Sequence, residues 1–213
     1  MRDLNAGDFI YLLYGLKWTI GISAAALLTG TLLALLFVMA HLTRSRLIGL
    51  VHFAYVTVFQ GTPLIGQLFV FYFGLSILGF EVDAFVAATA ALGAYSAAFL
   101  SEIWQGAIAA VPRQQWEAAE SLGLGRLTTF IDVIAPQAIR GATPPTVGFL
   151  VQLIKDSSLA SVIGFIELTR AGQIINNSTF QSFVIFGSIA VLYFAACFPI
   201  TLLSRRFEKR FAR

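Results

Sequence analysis

A basic and an acidic residue lie side by side inside a hydrophobic stretch, at Lys155 and Asp156, and two serines follow them at Ser157 and Ser158. A charge at the centre of a membrane helix costs about 2.5–3.5 kcal/mol on insertion scales, so such residues usually face a cavity or a partner. Ammonium, carboxylate and hydroxyl groups can bind a polar solute that has lost its water. We therefore predict that these four residues line a polar path. The alternative is a pair of charges that neutralise each other near a helix break.

A second candidate is Thr62-Pro63, which interrupts another hydrophobic stretch. Proline has no backbone N–H, so it removes one helical hydrogen bond and leaves a carbonyl free. The dipeptide predicts a local break in the helix. Two interpretations stay open, because the break could be a plain kink or a gate in the same path.

A polar segment separates the third and fourth hydrophobic stretches and begins near Pro112. Proline suits the first position of a helix, where its missing N–H has no partner in any case. Gly123 and Gly125 then end this helix, because each glycine costs about 1 kcal/mol relative to alanine. The apolar residues that recur at helical spacing in it are Trp116, Ala119 and Leu122.

A second short helix is predicted after the glycines. Leu127, Phe130, Ile131 and Ile134 follow the i, i+3, i+4, i+7 pattern of one apolar stripe, and Pro136 is expected to end the helix. Two short helices joined at glycines predict a compact unit with an apolar side and a polar side. Such a unit could be a docking surface for another protein or an amphipathic loop on the membrane surface.

The composition assigns all of these segments to a membrane protein. The chain is 58% hydrophobic and 12% charged, with a mean hydropathy of +0.81, whereas a soluble domain has about 25% charged residues. A bilayer core requires about 20 apolar residues per helix, and the apolar runs lack the alternation of barrel strands. We predict an all-α, polytopic integral membrane protein, with a single domain over 1–213. Its five spans are expected at roughly 10–40, 55–79, 84–108, 141–165 and 182–204.

The distribution of cations predicts the orientation of these spans. With the amino terminus outside, the inside segments 41–54, 109–140 and 205–213 contain 10 of the 14 lysines and arginines. Positive residues favour the cytoplasmic side, so the amino terminus is predicted outside and the carboxyl terminus in the cytoplasm. The ten are Arg44, Arg46, Arg113, Arg126, Arg140, Arg205, Arg206, Lys209, Arg210 and Arg213.

Several functions are disfavoured by what the sequence lacks. A phosphate-binding loop requires Gly-Lys before Ser or Thr, and the three lysines follow Leu16, Ile154 and Glu208. ATP with its Mg²⁺ is therefore expected on a partner and not on this chain. The basic residues flank apolar segments instead of forming a stripe, which disfavours nucleic acid as a partner. A membrane-embedded hydrolase and a channel or carrier that works alone remain as weaker alternatives.

Histidine and cysteine usage indicates neither a metal site nor an internal disulfide. His41 and His52 flank the first inside segment and are expected at the membrane interface. No His, Cys and carboxylate residues have the spacing of a metal site. Cys197 is the only cysteine and is expected to pack as a small hydrophobe.

The polar segment resembles the EAA loop of ABC-transporter permeases. Glu117-Ala118-Ala119, Gly123, Val133 and Pro136 stand at that motif's spacing. Further segments are similar, in order and spacing, to the permeases of polar amino-acid importers, a type I subfamily with five spans. They are Gly61-Thr62-Pro63-Leu64, Gln67-Leu68-Phe69, Pro136-Gln137-Ala138-Ile139-Arg140, Lys155-Asp156-Ser157-Ser158-Leu159 and Glu167-Leu168-Thr169-Arg170.

The resemblance implies partners and a transport role. It implies a cytoplasmic ABC ATPase dimer, a second permease subunit, an external solute-binding protein and a polar amino-acid substrate, in the lipid of a bacterial inner membrane. An opine or another small organic solute is the alternative substrate. Glu117 would meet the groove of the ATPase, Ala118 and Ala119 would allow close approach, and Gly123 would set the bend.

Two departures from the subfamily concern charge. Arginine is common in the subfamily at the positions of Gln60 and Gln105, while the acid at Glu102 is retained. The loss of two cations is expected to alter subunit pairing or the charge at the inner mouth. Glu102 is expected either at the membrane interface or paired with a neighbouring subunit.

Overall fold

The computed structural model describes residues 2–43 and 45–211, and the part of the chain that it describes contains helices and no strands. Arg44 and Arg213, which are counted above among the inside cations, lie outside the described residues. The helices are α1 (Ala6–His41), α2 (Arg46–Gly61), α3 (Leu64–Ile77), α4 (Ala84–Ala109), α5 (Arg113–Ser121), α6 (Arg126–Ile163), α7 (Leu168–Thr179) and α8 (Ser182–Phe211).

The five predicted spans correspond to four long apolar helices and one bent pair. Helices α1, α4, α6 and α8 are each long and apolar enough to cross a membrane. Helices α2 and α3 pass the same test together, although they meet at an angle of 103°. The prediction of an all-α protein with about five spans is confirmed, and the second span is a broken one.

The break between α2 and α3 lies at Thr62 and Pro63, as predicted. Both residues have extended backbone angles, so α2 ends at the residue before them. The side chain of Gln67 donates to the Phe59 carbonyl (2.7 Å) and to Thr62 Oγ1 (3.0 Å). Thr62 in turn donates to the Val58 carbonyl at 2.7 Å. Because carbonyls at the end of α2 find these side-chain donors, the bend is compatible with a buried position.

The prediction that Pro136 ends the second short helix is wrong. Helix α6 continues from Arg126 through this proline to Ile163 and is at once the end of the polar segment and the fourth span. A π-helical stretch, Thr129–Ile134, lies immediately before the proline. Its wider turns make room for the pyrrolidine ring, which in a regular α-helix clashes with the carbonyl four residues earlier.

The same π-helical stretch changes the predicted apolar stripe. Phe130 and Ile134 are buried, but Leu127 and Ile131 are about half exposed. A wider turn has more than 3.6 residues, so residues at α-helical spacing no longer share one face. Of the four residues predicted to share one apolar face, only Phe130 and Ile134 therefore lie on the buried side of the helix.

Small residues allow α1 and α4 to pack at very short distance in the centre of the fold. A Cβ added to Gly30 would lie 2.5 Å from Ser96 Cβ and 2.9 Å from the Gly93 carbonyl oxygen. A Cβ added to Gly93 would lie 2.3 Å from Thr29 Oγ1. Close approach through small residues is a common way to associate helices in membranes.

We expect Gly30→Ala to destabilise the protein by about 1–3 kcal/mol, the usual cost of overpacking. The control is Gly21→Ala on the same helix, whose Cβ would meet only Trp18 Cε3 at 3.9 Å. Thermal denaturation of the purified protein in detergent measures the effect. Equal midpoints for the two variants would contradict the close packing of α1 and α4.

The two ends of the helix bundle have separate apolar clusters. At the end where α1 terminates, Val38 packs with Val111, Phe130, Ile134 and Ala138. We call this the coupling end. At the opposite end, the beginning of α1 packs with α7 and α8 through Leu12, Leu168, Ala171, Ile175, Ile185 and Ile189.

A buried carboxylate links three helices at the opposite end. Glu167 precedes α7 and is 0% exposed. Its oxygens accept hydrogen bonds from the backbone N–H groups of Thr169 and Arg170 (2.8 Å each), from Tyr193 Oη (2.9 Å) and from Thr19 Oγ1 (3.4 Å). Burial raises the pKa of Glu167, and these four hydrogen bonds oppose the shift. The carboxylate therefore connects α1, α7 and α8.

Candidate functional site: a coupling segment joined to a polar path

The coupling segment, residues 112–140, begins with an exposed amphipathic helix. Helix α5 starts at Arg113, one residue after Pro112. Glu117 is exposed and forms an ion pair with Arg113 (Nε to Oε1, 3.0 Å). Ala118 is exposed, whereas Ala119 is 3% exposed and faces the bundle. The glutamate is therefore available on the outer surface, and the two alanines lie on different faces of the helix.

A Schellman motif ends α5 at Gly123. This glycine has φ +72°, and its N–H donates to the Glu120 carbonyl at 2.9 Å. The N–H of Leu124 donates to the Ala119 carbonyl at 3.2 Å. These are the two hydrogen bonds of the motif, and glycine adopts the left-handed angle without steric cost. Gly125 does not share this role, because its φ is −63°.

The segment is attached firmly to the bundle. Trp116, at half-burial, joins the apolar cluster of the coupling end around Val38 and Ile134. Trp104 also packs against this cluster and donates its indole N–H to Thr146 Oγ1 on α6 at 3.0 Å. A force on the segment is therefore transmitted to α1, α4 and α6.

The opposite side of the segment presents apolar side chains that the described part of the chain leaves exposed. Exposed apolar groups beside charged ones, outside the spans, are typical of a surface that meets another protein. We call these residues the docking surface. They are Leu122, Leu124, Leu127 and Ile131, and Leu122 is 79% exposed.

Helix α6 connects the docking surface to the predicted polar path. The same helix that begins at Arg126 ends in the 3₁₀ stretch Ser157–Ile163. That stretch contacts the first turns of α3, which directly follow Thr62-Pro63. The two groups of residues that were predicted to line the path therefore lie on or directly beside elements that contact each other. No sequence signal distinguished this continuous helix from two helices separated by Pro136.

The charges at Lys155 and Asp156 do not neutralise each other directly. Within the described chain, no oxygen of Asp156 lies within 4 Å of the Lys155 ammonium group, and Asp156 instead accepts from Gln152 Nε2 at 2.8 Å. Lys155 is exposed and Asp156 is half-buried. The two side chains therefore form no direct ion pair, and both interpretations of these charges stay predictions.

The two serines differ in what they can offer a solute. Ser157 is 0% exposed, and its hydroxyl donates to the Ile154 carbonyl at 2.8 Å. Ser158 is half-buried. In this conformation Ser157 stabilises the end of the α-helical part of α6, and Ser158 remains on the accessible side.

A polar patch forms where α2 and α4 face each other, from residues that the sequence did not predict to lie together. Gln60 Nε2 donates to Glu102 Oε2 at 3.1 Å, so the glutamine that stands where arginine is common still contacts the acid. His52 is buried within the protein, and its Nε2 lies 2.9 Å from Ser101 Oγ. Gln105 lies 3.5 Å from the same ring nitrogen. The predicted position of His52 at the membrane interface stays a prediction.

Two residues that position this site were quoted from the sequence only as parts of family segments, without a structural role. Gln67 bonds the break in the second span, and Glu167 anchors α7. The available signal was an isolated polar residue within an apolar stretch, as at Gln67, and an acid directly before a helix, as at Glu167. Metal ligands do not cluster anywhere in residues 2–43 and 45–211.

A bundle of four to five helices that could cross a membrane, with exposed apolar side chains on a segment at one end, is the architecture expected of a membrane transport permease. The sequence profile of the family described as the binding-protein-dependent transport system inner membrane component matches residues 26–213. The chain therefore belongs to this family.

The relatives of the chain are similar over nearly their whole length. The probable amino-acid ABC transporter permease protein YckA of Bacillus subtilis (strain 168) is 35% identical over 205 residues, which cover 96% of this chain and 91% of that protein. The arginine ABC transporter permease protein ArtQ of Haemophilus influenzae is 34% identical over 97% of this chain and 96% of its own length. A crystal structure of an amino acid ABC transporter with histidines has a TM-score of 0.87 at 33% identity, over 98% of this chain and 100% of that chain.

Proposed function

We propose that this chain is the permease subunit of an ATP-driven ABC importer and that it translocates a polar amino acid. An external binding protein delivers the solute, and a cytoplasmic ATPase dimer binds the docking surface and hydrolyses ATP. A second permease subunit completes the path, since five helices enclose too little space for a solute. In this proposal the coupling end is cytoplasmic and the amino terminus is outside.

The observation that carries the proposal is the continuity of α6. The helix starts in the coupling segment and contributes to the apolar cluster that anchors it, and its α-helical part ends at the charged residues of the path. Closure of the ATPase dimer pulls the docking surface. Because the helix is continuous from Arg126 to Ile163, the displacement reaches Asp156 and the broken span beside it. The path then changes between outward and inward access.

The chemistry of the path favours an amino acid. Asp156 and Glu102 accept only amide N–H groups from Gln152 and Gln60 in the described structure, so their charges are available to an ammonium group. Lys155 is exposed on the same helix and is available to a carboxylate. Charge-assisted hydrogen bonds are about twice as strong as neutral ones. The names of the relatives, which include amino-acid and arginine permeases, support the same class.

We expect Asp156→Asn to lower solute uptake at least about tenfold while the amount of inserted protein stays constant. A hydrogen bond to a charged group contributes about 1.5–3 kcal/mol, and about 1.4 kcal/mol is a factor of ten in affinity. The control is Asp3→Asn, which removes an exposed carboxylate near the amino terminus. Unchanged uptake by the Asp156 variant would remove this residue from the path.

The experiment that tests the function is solute-stimulated ATP hydrolysis in proteoliposomes. They contain this chain, its ATPase and its binding protein, and a panel of polar amino acids is compared with opines and small organic acids. Stimulation by one amino-acid class, lost on Glu117→Lys, supports both the substrate class and the docking surface. Stimulation only by another solute keeps the importer and rejects the amino-acid assignment. No stimulation by any solute with an assembled complex rejects the proposal.

A further inference from the structure

An apolar groove of about 360 Å³ lies between α1, α4 and α6 on the side of the bundle near the coupling end. Its walls include Leu35, Trp104, Ile139, Ala142 and Thr146. Thr146 is one of only two threonines in the lining, and its hydroxyl donates to the Ala142 carbonyl (2.7 Å) and accepts from the Trp104 indole (3.0 Å). The hydroxyl of the other, Thr143, donates to the Ile139 carbonyl at 2.7 Å.

Water is a poor occupant for this groove. In liquid water, about twelve molecules at roughly 30 Å³ each occupy the volume of the groove. Each buried water needs 2–4 polar partners. The only hydroxyls in the lining are already bonded to groups of the protein. An apolar occupant therefore fits the groove better than water.

The groove opens sideways from the bundle. Leu35 on α1 and Ile139 on α6 form its rim and are 44% and 62% exposed. Helix α8 packs on another face of α6, where Ser204 Oγ donates to the Pro144 carbonyl at 3.2 Å. Both rim helices are long and apolar enough to cross the bilayer, and Ile139 lies just before the predicted fourth span. In the proposed function the opening therefore lies at the edge of the hydrocarbon, next to the lipid head groups.

A cation lies beside the groove. Arg140 is adjacent to Ile139 and one helical turn before Thr143, so it shares a face with that groove residue. It is exposed, and no carboxylate lies within 4 Å of it in the described part of the chain. Long arginine side chains extend toward the membrane interface while their stems stay on apolar surface. An anionic phosphate at that interface would meet a free guanidinium group.

We propose that the groove binds one acyl chain of an anionic phospholipid whose phosphate pairs with Arg140. Lipid is the apolar material that surrounds a span, and the guanidinium selects an anionic head group over a zwitterionic one. The groove shares Val38, Ala135 and Ala138 with the apolar cluster that anchors the coupling segment. The bound chain therefore supports the packing of α1, α4 and α6 through which the coupling segment acts. The membrane depth of the site rests on the proposed function.

Native mass spectrometry of the full chain tests the site, with phosphatidylglycerol and phosphatidylcholine added separately. We expect one retained phosphatidylglycerol per chain and at least about a fivefold preference over phosphatidylcholine. Arg140→Gln should abolish the preference, whereas Arg46→Gln, which removes another exposed cation at the same end, should keep it. Thr143→Phe, which fills the groove, should reduce retention of both lipids.

Three results would overturn the site. They are equal retention of the two lipids by the unchanged chain, an equal effect of the two arginine variants, and loss of all retained lipid when a second copy of the chain covers the groove. Lipid binding is measured without solute or ATPase, so it is independent of transport. Retained lipid without solute-stimulated ATP hydrolysis would reject the proposed function but would still support the lipid-binding groove.

Discussion

Gly123→Pro is expected to reduce uptake to below about a tenth of the normal rate without preventing membrane insertion. Gly123 has φ +72° and donates its N–H to Glu120. Proline fixes φ near −65° and has no N–H, so it can adopt neither feature. The Schellman motif is lost, and α5 is no longer held at its angle to α6. The docking surface is then misaligned while the spans keep their own packing.

Two further variants separate the backbone angle from the presence of a side chain. Gly125→Ala should transport normally, because this residue has φ −63° and its Cβ would meet nothing within 4 Å. Gly123→Ala also meets nothing within 4 Å, but the left-handed angle costs a residue with a Cβ about 1–2 kcal/mol. We therefore expect an intermediate rate for Gly123→Ala. Equal rates for all three variants would contradict the role of the bend. Uptake of labelled solute and the amount of protein in the membrane are measured in parallel.

The sequence was sufficient to predict the class of fold because the membrane imposes a simple pattern. Long uncharged intervals, such as the one between Arg46 and Glu81, must be helical in lipid. The break at Thr62-Pro63 was also predictable, since proline interrupts a helix by covalent geometry alone. The spacing from Glu117 to Pro136 was enough to predict the family. The orientation, the ATPase and the second subunit remain predictions.

The features that failed depend on packing that no local pattern contains. Pro136 normally ends a helix, but the π-helical stretch Thr129–Ile134 makes room for it, and the choice between the two outcomes depends on tertiary contacts of Phe130 and Ile134. The hydrogen bond between His52 and Ser101 was likewise not predictable, because the two residues are 49 positions apart along the chain. Both features arise from partners that are far apart along the chain.

Glu167→Ala is expected to destabilise the protein by about 3 kcal/mol or more. The substitution removes the acceptor for the backbone N–H groups of Thr169 and Arg170 and for the Tyr193 hydroxyl, all at 2.8–2.9 Å. A buried donor without a partner costs about 1–3 kcal/mol. Two partly buried backbone N–H groups lose their acceptor, while the Tyr193 hydroxyl keeps Thr169 Oγ1 at 3.2 Å. The control, Glu81→Ala, removes an exposed acid and should change the stability by less than about 0.5 kcal/mol. Thermal denaturation in detergent measures both, and a small effect of Glu167→Ala would contradict the network.

The ionisation of Glu167 predicts how stability depends on pH. Burial raises its pKa in the folded state above the ordinary value of 4.5. The folded state therefore holds this proton more tightly than the unfolded state does, and the resulting stabilisation is complete below about pH 4.5. It is lost as the pH rises through the folded-state pKa. Glu167→Gln has no proton to lose at this position, so the stability of the unchanged protein should fall relative to that variant as the pH rises from 4.5 through the folded-state pKa. Because all other titrating groups are common to both proteins, the difference between their denaturation midpoints isolates Glu167. A constant difference would mean that the hydrogen bonds to the carboxylate balance its burial. A difference that grows in favour of the unchanged protein as the pH rises would mean that they outweigh it.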